Sequence, residues 1–412
     1  MPEPHSIRIK DFDYPLPAGQ IAQFPLANRD ASRLLIYKQG VIQESHFSGI
    51  DQYLPDNSLL VFNNTRVIHA RLIFKKTTGG QVEIFCLEPL SPVSEIQESF
   101  QQTSASTWKC LVGNRKRWKS GTLVLEIVHN GILHQMFADF QEDIGDGCFA
   151  IAFGWNPPEK TFSEILEIAG VIPLPPYINR PAIASDNERY QTVYAVQEGS
   201  VAAPTAGLHF TGALLDKLRV KGTVTENVTL HVGVGTFRPV TAEHIKDHVM
   251  HHEKIVVSTL TLESLLLGMD RPVFAIGTTS ARTLESIYWL GVSVIRNGLD
   301  RHPSVSQWAP YQQADTELIT PRQSLESLLR YLHTHQLEEY SGETQLMIVP
   351  GYRYRLLSGL ITNFHMPQSS LLLLVAAMIG DDWRHVYDHA LQNGFRFLSY
   401  GDSCLFFNPN CI

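Results

Sequence analysis

Residues 1–60 mix polar stretches with proline punctuation and hold one continuous apolar run, Leu59-Leu60-Val61-Phe62, of a length that suits a buried strand. From about 66 to 155 the pattern becomes a series of short β-type runs: VIHARLIF, VEIFCL, TWKCLV, TLVLEIV and CFAIAF. Gly, Asn, Ser and Pro separate these runs, and no helical period intervenes. That spacing predicts a barrel or sandwich. Pro157-Pro158 closes the region. Thr161-Phe162-Ser163-Glu164 then has the spacing of a capping box, so a helix is expected to about Ala169, stopped by Gly170. Farther on, strands (TLHVGV, PVFAIG, LMIV) alternate with helix-period stretches (GALLDKLR, SARTLESIYWL, LLLLVAAMI, WRHVYDHALQN), which predicts α/β. The simplest fold class is an α/β main domain, residues 1–65 plus 156–412, interrupted by an inserted all-β, barrel-like domain, residues 66–155. Residues 293–342 are polar and irregular apart from a helical stretch at Ser324–His333, and are expected to be a peripheral insertion within the α/β domain.

Composition narrows the function classes. With 44% hydrophobic and 18% charged residues in 412, the chain can bury a large core, which excludes disorder as its main state. Its formal net charge of −8 excludes a generic nucleic-acid coat, so any RNA contact needs a local basic patch. The five cysteines form no CxxC pair, which supports neither a zinc ribbon nor a disulfide scaffold. The amino terminus has no apolar stretch of signal-peptide type, and the most apolar run, Leu371 to Ile379, is far short of the ~20 residues that span a bilayer. A cytoplasmic enzyme with reduced thiols and no membrane partner is expected.

Several segments carry candidate chemistry. A strand leads into Gly277-Thr278-Thr279-Ser280, followed by Arg282 in a helix. Small residues there expose helix N–H groups to an anion, although plain N-capping is the other reading. The segment 201–211 is small, barely charged and contains Thr205, Gly207 and His209. Small residues let a ligand approach the backbone, and an imidazole suits proton transfer near neutral pH. His231, Gly233 and Gly235 stand at a strand end, but the third glycine of a dinucleotide fingerprint is missing. The cluster from Glu243 to Glu253 holds four imidazoles, His244, His248, His251 and His252. If it is helical, His244 and His248 share a face as metal ligands do, yet no HExxH motif is present. Thr362, Asn363 and His365 form a loop entering an apolar helix, and Tyr400 with Asp402 lies in a turn. A basic patch also exists: Lys109, Arg115, Lys116, Arg117 and Lys119 are interleaved with two tryptophans, suiting phosphate neutralisation and base stacking, or else forming a solvated hairpin tip.

Taken together, these segments resemble the S-adenosylmethionine:tRNA ribosyltransferase-isomerase family of queuosine synthesis. The resemblance runs through DFDYPLP with IAQFPLANRDASRLL (11–35), FNNTRVIHARL (62–72), ERYQTVYA (188–195), GSVAAPTAGLHFT (199–211), TLHVGVGTFRPV (229–240), MHHE (250–253), AIGTTSARTLES (275–286), LITNFHMPQSSLLLLV (360–375) and FRFLSYGDSCL (395–405). It implies an α/β domain carrying an inserted β-barrel. It also implies that the ribosyl part of S-adenosylmethionine, a co-substrate, moves to a 7-aminomethyl-7-deazaguanine base at the first anticodon position of tRNA. Epoxyqueuosine forms, and adenine and methionine leave. No metal and no obligate protein partner are expected.

On this resemblance His209, His231, His365, Asp402 and Glu253 are the catalytic candidates, base and acid unassigned. Arg66, Tyr190, Thr205, Gly207, Gly233, Gly235, His251, Gly277, Thr278, Thr279, Ser280, Arg282, Thr362, Asn363 and Tyr400 are the substrate-binding candidates. The Gly277–Ser280 turn would hold the methionine carboxylate or a tRNA phosphate. The chain departs from the family pattern at Asn64, where Asp is common, and at Val349, Gln368 and the long stretch 293–342. Two alternatives stand beside this reading: a non-catalytic or re-specialised tRNA-binding paralogue, and a metal-dependent hydrolase built on His244–His252.

Overall fold

The structure, a computed structural model, describes residues 6–76, 79–233, 240, 242–312 and 319–410. The chain begins with β1 (Arg33–Lys38), β2 (Val41–His46), β3 (Leu59–Asn63) and β4 (Thr65–Val67). There follow β5 (Arg71–Lys75), β6 (Gln81–Ser91), α1 (Ile96–Phe100), β7 (Ala105–Gly113), β8 (Leu123–His129), β9 (Ile132–Gly145) and β10 (Cys148–Asn156). Next come α2 (Phe162–Ala169), α3 (Asp186–Arg189), β11 (Gln197–Ser200), α4 (Gly212–Val220), β12 (Val224–Leu230), β13 (Glu253–Ser258) and α5 (Thr259–Leu267). The last third holds β14 (Val273–Ile276), α6 (Gly277–Asn297), α7 (Pro321–Thr334), β15 (Glu339–Thr344), β16 (Gly359–Asn363), α8 (Ser370–Ile379), α9 (Asp382–Gln392) and β17 (Ser403–Phe407).

Nine strands form a mixed sheet in the order β15-β13-β12-β3-β14-β16-β17-β1-β2. Its centre, β12-β3-β14-β16, is parallel throughout. Central parallel strands are covered on both faces, which explains why β3 is apolar at consecutive positions. The two-residue period divides them. Leu59 and Val61 face the helices α6 and α7, while Leu60 and Phe62 face Phe47, Ile50 and α4.

Strands β5 to β10 form a second, antiparallel sheet in the order β5-β6-β7-β10-β9-β8, whose edge strands approach to make a nearly closed, barrel-like wall. Alternation sends Val82, Ile84, Cys86, Trp108, Cys110, Ile151 and Phe153 inward. Phe162 at the start of α2 closes this core, with ring centroids 5.0 Å from Trp108 and 5.8 Å from Phe153. The capping box is present: Thr161 Oγ1 accepts from the Glu164 amide at 3.3 Å, and Glu164 Oε2 accepts from the Thr161 amide at 2.9 Å. Gly170 ends the helix where any Cβ would meet the His69 carbonyl at 1.9 Å.

Three local expectations differ from the fold. The LMIV segment is buried but is not a strand: the Met347 amide donates to the Gln307 carbonyl, and the Val349 amide to the Tyr311 hydroxyl. Its apolar run therefore reflects burial by loops, not ladder pairing. Within 293–342, α7 buries Leu325, Leu328 and Leu332 against the main core, because their helical spacing makes one apolar face. Around His244 the backbone forms one short turn over Ile245–Asp247, so His244 and His248 do not share a helical face.

Candidate active site

The carboxyl ends of parallel strands are where an open α/β sheet leaves backbone groups free for a ligand. Here those ends deliver Asn63 from β3, His231 after β12, Gly277 after β14, and Asn363 to His365 at the end of β16. A cavity of about 350 Å³ opens there. Residues 202–206 form one wall, Gly277, Thr278 and Thr279 the floor, and residues 362–367 the opposite wall. Tyr177 and Ser399 close a side, with their hydroxyls 2.7 Å apart. No Lys, Arg, Asp or Glu lines it among the described residues.

His365 is the candidate acid-base group that reaches this cavity. Its Nε2 is 3.0 Å from Thr362 Oγ1, and its Nδ1 has no hydrogen-bond partner among the described residues. The backbone around it is clamped: Tyr14 donates its hydroxyl hydrogen to the His365 carbonyl, and the His365 amide donates to Tyr387 Oη at 3.1 Å. Burial pulls its pKa down to about 3, so the imidazole is neutral at physiological pH. A neutral ring accepts a proton but has none to spare as an acid.

The other catalytic candidates are held differently. Asn363 Nδ2 donates to the Asp402 carbonyl at 3.3 Å and to His209 Nε2 at 3.0 Å, while Asn363 Oδ1 accepts from Thr205 Oγ1 at 3.1 Å. His209 Nδ1 therefore carries the proton and donates to Ser32 Oγ at 2.8 Å. Both ring nitrogens are occupied, and the ring borders a small adjoining void beside Tyr400 rather than the main cavity. Burial, with the Arg396 and Arg29 charges nearby, pulls His209 down to about 3. Asp402 is saturated: it accepts from the Arg33 amide at 3.1 Å, the Arg396 amide at 2.9 Å and the Arg396 guanidinium at 3.2 Å. The geometry makes it the anchor of its turn.

His231 Nδ1 lies 3.0 Å from Thr65 Oγ1, which donates onward to the Gln197 carbonyl. Nδ1 is thus the protonated nitrogen. Burial and then the Lys254 charge lower its pKa to about 4. Glu253 forms a buried ion pair with Arg282, tying β13 to α6 away from the cavity lining.

Among the substrate-binding candidates, Thr205, Gly277, Thr278, Thr279, Thr362 and Asn363 line the cavity. Ser280 does not, because its hydroxyl turns back to the Ile276 carbonyl at 2.8 Å. Gly207 is a packing glycine, where a Cβ would meet Tyr194 Oη at 1.8 Å. Tyr400 donates to Asp186 at 2.8 Å, Tyr190 is fully buried, and Arg66 sits half-exposed beside Glu167 and Glu198. His251 and Gly233 are exposed, and Gly235 lies outside the described residues.

The basic patch is partly rearranged. Trp108 and Trp118 are buried in the barrel core and have no free face for stacking on bases: strand alternation turns Trp108 inward, and the β7–β8 turn folds Trp118 in, its Nε1 donating to the Gly121 carbonyl at 2.8 Å. Arg115 lies over the Phe140 ring at 4.2 Å, and Lys109 pairs with Glu88 at 3.2 Å. Lys116, Arg117 and Lys119 remain exposed. Among the described residues no three of His, Cys, Asp and Glu are grouped to hold a metal ion, and no helix is long and apolar enough to cross a membrane.

A family model for queuosine biosynthesis proteins matches residues 9–406. The chain belongs to that family. A relative from Pelobacter propionicus is 37% identical over 400 residues, covering 96% of this chain and 98% of its own. Another from Nitrosomonas europaea is 38% identical over 405 residues, covering 97% and 96%. Both are named S-adenosylmethionine:tRNA ribosyltransferase-isomerase. A crystal structure of S-adenosylmethionine tRNA ribosyltransferase from Thermotoga maritima is 28% identical, with a TM-score of 0.44, covering 96% of this chain and 99% of that one.

Of the segments that resemble the queuosine family, 199–211, 275–286 and 360–375 supply most of the cavity wall. Sequence reasoning missed Tyr177, and a signal was there: an aromatic in the uncharged run Pro173-Leu174-Pro175-Pro176. It also missed the residues that hold the histidines, Ser32, Tyr14 and Tyr387, which have no local signature. Asn64 accepts from Thr229 Oγ1 at 2.7 Å and does not line the cavity. An aspartate would accept the same hydrogen bond, so this departure leaves the site intact.

Proposed function

We propose that the protein transfers and isomerises the ribosyl moiety of S-adenosylmethionine onto the 7-aminomethyl-7-deazaguanine base at the first anticodon position of tRNA. The products are epoxyqueuosine in the tRNA, adenine and methionine. The observation that carries this reading is the match to curated relatives of that name over 96% of the chain. The cavity suits the chemistry. A sulfonium is stabilised near an aromatic face such as that of Tyr177 and repelled by lysine or arginine, and no lysine or arginine lines the described wall. The sulfonium acidifies the adjoining ribose carbon, so a neutral imidazole suffices as base, and His365 is placed for it. His209 and Asp402 act behind the wall by holding Asn363 and the 399–402 turn. In this reading residues 1–65 and 156–412 form the catalytic α/β domain, and residues 66–155 an inserted domain that meets tRNA. No metal is needed. Localisation follows the substrate, the cytoplasm.

Incubation with S-adenosylmethionine and a tRNA bearing the aminomethyl-deazaguanine base is expected to release adenine and methionine. Mass analysis of the tRNA checks the transfer. Release of S-adenosylhomocysteine would mean methyl transfer and sink the reading, and tRNA binding without adenine release would favour a re-specialised paralogue.

Replacing Lys116, Arg117 and Lys119 together by alanine is expected to weaken tRNA binding and flatten its salt dependence. Each lost phosphate contact removes roughly one unit of log–log slope. Arg115, packed on Phe140, is better left in place. An unchanged slope would move the RNA contact to the α/β domain.

A further inference from the structure

The first turn of α6 is open toward the cavity. Ile276 occupies its N-cap and offers no side-chain acceptor, so no side chain covers the first amides. Gly277 has φ +86, and a Cβ there would come within 3.6 Å of Ala206 Cβ and Thr279 Oγ1. Thr278 is 7% exposed and lines the cavity, yet its hydroxyl has no hydrogen-bond partner among the described residues. Thr279 Oγ1 is likewise buried without a partner. Buried hydroxyls are normally satisfied, so the unpartnered Thr279 Oγ1, next to the unpartnered Thr278 hydroxyl on the cavity lining and amides that no side chain caps, marks a place built for an acceptor. The α6 dipole adds positive potential along a helix of 21 residues. With no lysine or arginine in the described lining, this terminus is the pole there that attracts an anion.

We propose that the N-terminus of α6 with the Thr278 hydroxyl binds the α-carboxylate of the methionine part of S-adenosylmethionine. The inference rests on that molecule being the substrate. It separates the two anions that the sequence left open. The floor residue Thr278 is more than nine-tenths buried, which suits one carboxylate on a small ligand. A tRNA phosphate would have to bring a hydrated polymer backbone to the same depth. Binding the carboxylate here orients the sulfonium end of the ligand toward the 362–367 wall, where His365 stands.

Titration calorimetry with two ligands tests this. Decarboxylated S-adenosylmethionine keeps the adenosine and the sulfonium but lacks the carboxylate. Thr278→Val is expected to weaken S-adenosylmethionine roughly 10- to 100-fold, the scale of one hydrogen bond to a charged group. Thr278→Ser should restore binding to within a few fold, which excludes misfolding as the cause. Neither variant should change the affinity of the decarboxylated ligand by more than about two-fold. Equal weakening of both ligands, or of neither, would overturn the proposal. So would a loss of tRNA affinity with S-adenosylmethionine unaffected, which would assign the turn to a phosphate. If the unaltered protein binds neither ligand and releases no adenine, the functional reading itself fails, and that result is distinct from the others.

Discussion

His365→Gln is expected to lower adenine release by about 10²- to 10⁴-fold, the range for removing a positioned general base. Glutamine keeps a polar side chain of similar size but cannot accept the proton. The loss should appear in turnover, with S-adenosylmethionine affinity within a few fold of the unaltered protein, because proton abstraction is made only in the transition state. The pH profile gives an independent check. Burial holds His365 neutral down to about 3. The acid limb of kcat/KM should therefore lie below about pH 5 rather than near 6.5, the value of an unperturbed imidazole. A limb centred between 6 and 7 would point to a histidine that titrates normally, and so away from this assignment. Near-normal turnover of His365→Gln would do the same. His209→Gln should cost less, since it acts through the position of Asn363. His244→Gln, outside the cavity lining, should cost little.

The second large effect is on stability in mild acid. Three imidazoles are buried in the neutral state: His209 and His365, each down to about 3, and His231, down to about 4. In the unfolded chain each takes up a proton near 6.5. Below that pH the unfolded state binds more protons than the folded one, so stability falls as pH falls. Between pH 7 and 5.5 the loss is on the order of 1 kcal/mol per residue, or a few kcal/mol in all, a large share of the roughly 5–15 kcal/mol that stabilises a typical domain. Carboxylates contribute in a lower window. Asp186, where burial raises the pKa but the Arg180 pair and further hydrogen bonds bring it below the usual range, loses its stabilisation only below about pH 4. The urea midpoint at pH 5.5 should thus lie well under that at pH 7.5, with little change in slope. A level midpoint down to pH 4.5 would show that these rings are not buried neutral.

Elements whose signals are local are legible along the chain. The Thr161–Glu164 capping box, the helices from Gly212 and Ser370, and the alternating barrel strands rest on neighbours three or two residues apart. The family motifs likewise marked the segments 199–211, 275–286 and 360–375 as site material, and their small residues do line the cavity. Which histidine faces the substrate was decided only by tertiary structure. His209, His231 and His365 look alike in sequence, each beside small or polar residues near a strand end or helix start. His209 is occupied because Ser32 and Asn363 come from 177 and 154 residues away, and Asp402 because Arg33 comes from 369 residues away. The basic hairpin teaches the same lesson from the other side. Trp108 and Trp118 stand beside cations in the sequence, yet strand alternation buries the first and the β7–β8 turn the second. Local energies of capping and pleating act over a few bonds and leave a pattern in the chain. Burial and saturation of a polar group depend on partners that only the folded sheet order brings together.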